Sequence, residues 1–253
     1  MLYRCILGSV AGILFWGIIG IYVLPSLLVY YIIYPFTKYP QDTFQALAAS
    51  IYKIFFKLVP KINLKLDLLD DVPQSAIYVS SHQSSLDYPV VGSFIKKYII
   101  LTNINIYNIP FISLVSRLIG VRHLNKKNLD EVNKTYSELE MMLAQNRNVI
   151  LFPEGTRHVG KKLCKFKKGA FRLAMKTNKP LIPIVIEGSA LTLPKRSRCY
   201  ATTEQTTLHV KMLSPIYPEN FESEKELLEY TQNVIQKQKD ILSDVTNSHT
   251  LMV

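Results

Sequence analysis

Between Cys5 and Thr37 the chain carries no charged residue. Such a run exceeds the ~20 apolar residues that a helix needs to cross a bilayer core. It is too long for a signal-peptide core and lacks a small-residue cleavage site. Buried helices of soluble domains seldom run so far without one charge, so the run predicts an N-terminus associated with a membrane. Pro25 divides it and leaves two geometries open. One is a single span to about Leu24 followed by an interfacial segment; the other is a bent hairpin that dips into one leaflet. Only Arg4 precedes the run, whereas Lys38, Lys53, Lys57, Lys61 and Lys65 follow it. The positive-inside bias then places the remainder on the cytoplasmic face, of a bacterial inner membrane or of the endoplasmic reticulum.

The 253 residues suffice for one large domain, or a domain with an appendage. A formal charge of +11 favours anionic partners, namely nucleic acid, an acidic membrane surface or phosphorylated substrates. The hydrophobic N-terminus selects membrane lipids over nucleic acid. Cys5, Cys164 and Cys199 are widely spaced and odd in number, which provides neither a disulfide framework nor a zinc spacing. The folded part is expected in a reducing compartment.

Helical periodicity predicts a helix over Asp42 to Val59, with Asp42 and Gln45 spaced as a capping box. Its stripe of Phe44, Leu47, Ile51, Ile54, Phe55 and Leu58 suits either the membrane interface or packing against the protein body. Past Pro60 the pattern changes to strands alternating with helices. Strands are expected at Ile62–Leu68, Ala76–Val79, Tyr98–Thr102, Val149–Phe152, Leu181–Ile186 and Leu208–Leu213, with a short one after Gly120. Helices are expected over Tyr88–Lys97, over Asp130–Asn146 with Asn128 and Glu131 as its cap, and from Ser223 onward. An apolar stretch from Asn105 to Leu118, broken by Pro110, has no clear period. Strands alternating with helices indicate an α/β domain with a mostly parallel or mixed sheet.

Two polar turns interrupt this pattern, each directly after an apolar strand. The first is Ser80-Ser81-His82-Gln83-Ser84-Ser85-Leu86-Asp87. Histidine and aspartate there can act as a base and its orienter. Five residues along a helix rotate a side chain about 140° from its starting face. The two therefore meet only if His82 lies on the turn and Asp87 near the helix start. The plainer alternative makes Asp87 a helix cap. The second turn is Pro153-Glu154-Gly155-Thr156-Arg157, followed by Lys161, Lys162, Lys165, Lys167, Lys168 and Arg172. Taken alone it is an ordinary turn with a solvated basic loop. In open α/β sheets, however, ligands bind at the carboxyl ends of strands. The two turns can then face one cleft, with a base on one wall and anion-binding cations on the other.

These residues resemble the glycerolipid acyltransferases. Ser81-His82-Gln83-Ser84-Ser85-Leu86-Asp87 is similar to the family's N-H-Q-S-x-x-D block, and Phe152-Pro153-Glu154-Gly155-Thr156-Arg157 matches its F-P-E-G-T-R block in full. Ile182-Pro183-Ile184-Val185 resembles the fourth block, and Phe166-Lys167-Lys168-Gly169-Ala170 resembles the link between those two. The likeness covers roughly residues 75 to 190, and the N-terminus resembles the docking element of the 1-acylglycerol-3-phosphate acyltransferase branch. The resemblance implies a single α/β acyltransferase domain, residues 61–253, behind a hydrophobic two-helix membrane-docking unit, residues 1–60. It further implies acyl transfer from acyl-CoA or acyl carrier protein, as co-substrate, to the hydroxyl of a lysophospholipid, with neither cofactor nor metal.

In that scheme His82 is the base and Asp87 its orienter. Arg157 clamps the acceptor phosphate, and Glu154 positions the acceptor or braces the cleft. Gly155 and Thr156 complete the substrate-binding turn. Lys168 and its neighbours hold donor phosphates or anionic headgroups. The second block departs from the family's G-x-x-F-x-D-R. After Gly120 it has His123, Asn125 and Lys126, so Lys126 keeps the charge but loses the two-pronged grip of arginine. The first acceptor to expect is 1-acylglycerol-3-phosphate, giving phosphatidic acid. The alternatives are a remodelling acyltransferase with another headgroup, or a catalytically silent protein that binds acidic lipid.

Overall fold

The computed structural model describes residues 39–59, 62–102, 116–193 and 206–250, together with Ile32 and Phe36. Most of the uncharged N-terminal run and most of the Asn105–Leu118 stretch lie outside these residues. Among the described residues, no helix is long and apolar enough to cross a membrane.

The strands are β1 (Ile62–Asp67), β2 (Ile77–Ser80), β3 (Tyr98–Thr102), β4 (Val121–His123), β5 (Asn148–Leu151), β6 (Leu181–Glu187) and β7 (Thr206–Met212). They form one seven-stranded sheet in the order β1-β7-β6-β2-β5-β3-β4. Pairing is parallel from β6 to β4 and between β1 and β7, while β6 and β7 run antiparallel. The sheet is therefore mixed. Pro183 sits inside β6, where a missing N–H normally disrupts the ladder. The register explains its tolerance: Ile184 faces Met212 but Leu181 faces Ile216, so β7's side carries one extra residue opposite the proline.

Alternating side chains supply two apolar layers. Tyr78, Ile150, Ile182 and Ile184 point to one face, which is covered by α1 (Pro40–Leu58) through Phe55 and Phe56 and by α2 (Asp87–Gly92) through Val90 and Val91. Ile77, Val79, Val149 and Val185 point to the other. That face is covered by α3 (Leu129–Ala144), α4 (Gly169–Thr177) and α6 (Glu224–Thr250), whose Leu139, Leu143, Phe171, Leu173, Leu227 and Ile235 are buried. A short helix, α5 (Ser189–Thr192), follows β6 and has no counterpart in the periodicity. From β2 the chain crosses to β3 on the first face; from β5 it crosses to β6 on the second. Right-handed crossovers demand this switch of faces when the direction of travel reverses. The reversal leaves a crevice at the carboxyl ends of the adjacent strands β2 and β5.

Two predicted local features differ. In place of a helix over Tyr88–Lys97 there are the six residues of α2, ending at Gly92, then a turn, and Lys97, at φ +50°, leads into β3. The Asp42–Gln45 capping box does not form, since α1 starts earlier, with Pro40 in its first turn and Tyr39 at the N-cap. Tertiary partners take both side chains. Gln45 donates to the carbonyls of Tyr98 and Ile119 and accepts from the N–H of Tyr98. Asp42 pairs with Arg147, whose side chain is 2% exposed and stacks on Tyr39. Gln45 and Asp42 thus pin α1 to the sheet, and α1 shares the core of the α/β body. By contrast, the Asn128 cap forms as predicted, its Oδ1 accepting from the N–H groups of Asp130 and Glu131.

A cap lost to alanine costs about 1 kcal/mol, whereas stranding a buried cation costs about 3 kcal/mol or more. Asp42→Ala is therefore expected to destabilise the protein by about 3 kcal/mol, and Asp42→Leu combined with Arg147→Met by much less. Equilibrium unfolding of the purified variants checks this; a loss near 1 kcal/mol in the single variant contradicts the role of the ion pair.

Candidate functional site

The turn after β2 brings His82 and Asp87 together. Asp87 opens α2 and is fully buried, and its Oδ2 accepts from His82 Nδ1 at 2.8 Å. The same oxygen accepts from the backbone N–H groups of Gln83 at 2.7 Å and Ser84 at 2.9 Å. The carboxylate thus caps the histidine's own turn instead of the helix. With Oδ2 also taken by the two backbone donors, the carboxylate is the acceptor and His82 Nδ1 the donor of their shared bond. Nε2 is left as the basic nitrogen. The imidazole is held in plane by Phe152, 4.3 Å away between ring centroids, and by Tyr88, edge-on at 5.4 Å.

The turn after β5 supports His82 from the second wall. Glu154 is 4% exposed. Its Oε1 accepts from the N–H of His82 and its Oε2 from the N–H of Cys164, both at 2.9 Å. Both oxygens of Glu154 thus accept from backbone N–H groups, one of them across the cleft. The carbonyl of His82 in turn accepts from the N–H of His158. Arg157 crosses the same gap, donating from Nη1 to Ser85 Oγ at 2.8 Å. Gly155 adopts φ +64°, a conformation that L side chains avoid, and a Cβ there would stand 2.8 Å from Lys167 Nζ. Thr156 is exposed at the apex of the turn.

Between these walls lies a cavity of about 120 Å³. His82, Tyr88, Thr102, Phe152 and Gly155 line it, as do Lys126 and Lys167. Burial pushes the Lys126 ammonium down to about 8, and the neighbouring Lys167 adds to the shift. Burial also raises the Tyr88 phenol above its ordinary value, partly offset by a hydrogen bond with Thr102 and by the charge of Arg157. Two lysines forced together beside a base form a site that an anion would relieve. Among the described residues, no cluster of histidine, cysteine and carboxylate side chains could hold a metal ion.

The structure brings His82, Asp87, Glu154, Gly155, Arg157 and Lys126 to this crevice, but not Lys168. As N-cap of α4, Lys168 points away and pairs with Glu224 at 3.1 Å, and Arg172 pairs with the same carboxylate. Its neighbour Lys167 occupies the cavity instead. The family resemblance singles out Lys168 from the Lys-rich block, and no helical period before Gly169 separates it from Lys167. Tyr88, Thr102 and Tyr136, which also line the cavity, carried no signal beyond their apolar spacing. Asn125 makes a local turn, its Oδ1 accepting from the N–H of Lys127, which sets the direction of Lys126.

Comparison with known proteins agrees with this architecture. The acyltransferase family model matches residues 63–187. The chloroplast 1-acyl-sn-glycerol-3-phosphate acyltransferase of Arabidopsis thaliana is 32% identical over 143 residues, 55% of this chain and 40% of that protein. The 1-acyl-sn-glycerol-3-phosphate acyltransferase of Saccharomyces cerevisiae is 30% identical over 174 residues, 67% of this chain and 56% of that protein. The chain thus spans about half the length of these relatives. A crystal structure of the 1-acyl-sn-glycerophosphate acyltransferase PlsC from Thermotoga maritima superimposes with a TM-score of 0.77 at 21% identity, covering 95% of this chain and 98% of that one, a likeness of fold. The matched segment runs from β1 to the end of β6 and holds both polar turns, so residues 63–187 belong to the acyltransferase family.

Proposed function

We propose that the protein transfers a fatty acyl group from acyl-CoA or acyl carrier protein to the free hydroxyl of 1-acylglycerol-3-phosphate, giving phosphatidic acid. The observation that carries this reading is the His82–Asp87 pair facing a cavity with two lysines. His82 Nε2 takes the acceptor's hydroxyl proton as that oxygen attacks the thioester carbonyl. The tetrahedral intermediate then collapses and expels the thiolate, which the imidazolium reprotonates. Asp87 stabilises the charge that the ring carries between these steps. The attacking alcohol is the substrate's own, so the protein supplies no nucleophile. Binding of acidic lipid alone would need no such base, which disfavours a silent lipid-binding protein.

Lys126 and Lys167 suit a phosphate monoester, whose second negative charge relieves their repulsion better than a phosphodiester headgroup does. Arg157 closes the phosphate site from the side of Ser85. On the opposite face of the sheet from α3 and α4, helix α1 exposes Ile54 and Leu58 beside Lys53 and Lys57. An apolar edge lined with lysines fits an acidic lipid surface. With the uncharged N-terminal run, it would hold the protein on the cytoplasmic face of the membrane that contains the acceptor.

The donor has a separate approach. A groove of about 540 Å³ runs between α3 and α4 and shares Leu124, Lys126, Tyr136 and Gly169 with the catalytic cavity. Asn133 and Ser137 offer polar groups along it, Leu129, Val132 and Leu173 offer apolar ones, and the Lys176–Glu140 ion pair spans its lining. This mixture suits the phosphopantetheine arm that both donors share, and a fatty chain much less.

Three outcomes test the reading. His82→Ala should lower kcat by on the order of 10³-fold in assays with labelled acyl donor and a panel of lysophospholipids. Among the unsubstituted enzyme's acceptors, 1-acylglycerol-3-phosphate should lead; near wild-type turnover in the variant rejects the mechanism. The KM for acceptor should rise as pH passes upward through about 8, where Lys126 loses its proton. Lys126→Met should raise that KM at neutral pH and flatten the rise. Asn133→Trp and Ser137→Trp, which fill the groove, should raise the donor KM about tenfold, or about 1.4 kcal/mol, while leaving the acceptor KM unchanged. Lys134→Trp, on the same helix outside the groove, is the control.

A further inference from the structure

Lys239 is a lysine in the protein interior. Its side chain is 2% exposed, and Nζ donates to the carbonyl of Gly160 at 2.8 Å and pairs with Glu187 Oε2 at 3.0 Å. Glu187 ends β6, next to the strand that delivers His82. Its Oε2 also accepts from Gln83 Nε2 at 2.8 Å. Gln83, itself 3% exposed, donates its backbone N–H to the Asp87 oxygen that orients His82. One connected chain of polar contacts therefore runs from α6 through the end of β6 to the catalytic turn. None of Lys239, Glu187 and Gln83 lines the catalytic cavity.

We propose that Glu187, anchored by Lys239, is a positioning residue for the His82 turn and acts through the side chain of Gln83. Stability does not explain the pair, because a buried ion pair is commonly no better than apolar residues of the same size. The placement of its bonds does. Gln83 is the one residue between His82 and the rest of the turn, and its amide is held on the side away from the cavity. Losing that tether frees the turn to shift relative to the substrate, and displacements of about 1 Å at a reacting centre cost up to about a hundredfold in rate.

The same helix steadies the loop that completes the Glu154 brace. Gln232 accepts from the N–H of Phe166 and Gln236 from the N–H of Leu163. With Lys239 these residues recur at helical spacing on one face of α6, directed at residues 160–166. Helix α6 thus fixes both turns of the site from behind, through Glu187 on one side and the loop on the other.

The test compares two double variants, assayed with oleoyl-CoA and 1-oleoylglycerol-3-phosphate, and therefore rests on the acyl-transfer reading. Lys239→Met with Glu187→Leu removes both charges and the partner of Gln83. Lys239→Met with Glu187→Gln removes both charges but keeps an oxygen to accept from Gln83. The first should lose about tenfold or more in kcat with both KM values within about twofold, at a Tm close to that of the second. The second should recover most of the wild-type kcat. Equal kcat in the two variants, or wild-type kcat in the first, overturns the positioning role. Absence of turnover in the unsubstituted enzyme with either acyl-CoA or acyl carrier protein would instead overturn the acyl-transfer reading beneath it.

Discussion

The carboxylate of Glu154 joins its own turn and the loop that follows to the His82 turn, 72 residues earlier. One oxygen holds the N–H of His82 in a buried bond, and the other holds the N–H of Cys164 in a half-buried one. Hydrogen bonds to a charged group contribute about 1.5–3 kcal/mol each, so this side chain can set the distance between the two turns by itself. The His82 imidazole, the positive-φ Gly155 and the cavity lysine Lys167 are placed by that distance. If Glu154 were aimed at a substrate, the backbone of His82 would lose its partner and the crevice its fixed width. Its position also explains why the turn tolerates an arginine at its tip: Arg157 spans an opening already held by the carboxylate beneath it.

The sheet provides the second level of organisation. Reversing direction at β2 and β5 puts the crevice at the top of the sheet, with helices on opposite faces to either side. The exposed apolar edge of α1 and the groove between α3 and α4 therefore lie on different faces. In the proposed reaction this separates a lipid acceptor, drawn from a bilayer, from a water-soluble donor. The two would meet only at His82. Helix α6 closes the rear of the site and leaves the top free.

Much of this was legible beforehand, and the reasons are specific. Tyr98–Thr102 is a strand at the predicted residues because a short, nearly continuous apolar run set off by Lys96 and Lys97 has few other solutions. The meeting of His82 with Asp87 meets the condition that spacing set, since a five-residue separation works across a turn and fails along a helix. The Asn128 cap formed because its partners are three residues away or nearer. The Asp42 cap failed because Arg147, 105 residues later, offered a buried cation that a surface cap cannot match. Lys168 and Lys167 part for a related reason: neighbouring lysines before a helix start have no period to distinguish them, and Glu224 holds one while the cavity is lined by the other.

The sequence by itself determined the alternation of strands and helices, the two polar turns and the chemistry they can carry, because each depends on local spacing and residue type. Only the tertiary structure decided which side chains share the crevice. It assigned Glu154 to the backbone of His82, Lys167 to the cavity beside Lys126, and Lys239 to Glu187 and so to Gln83. These pairings join residues tens to more than a hundred positions apart. Sheet order sets them, and a buried charge must find its partner there, wherever along the chain that partner lies.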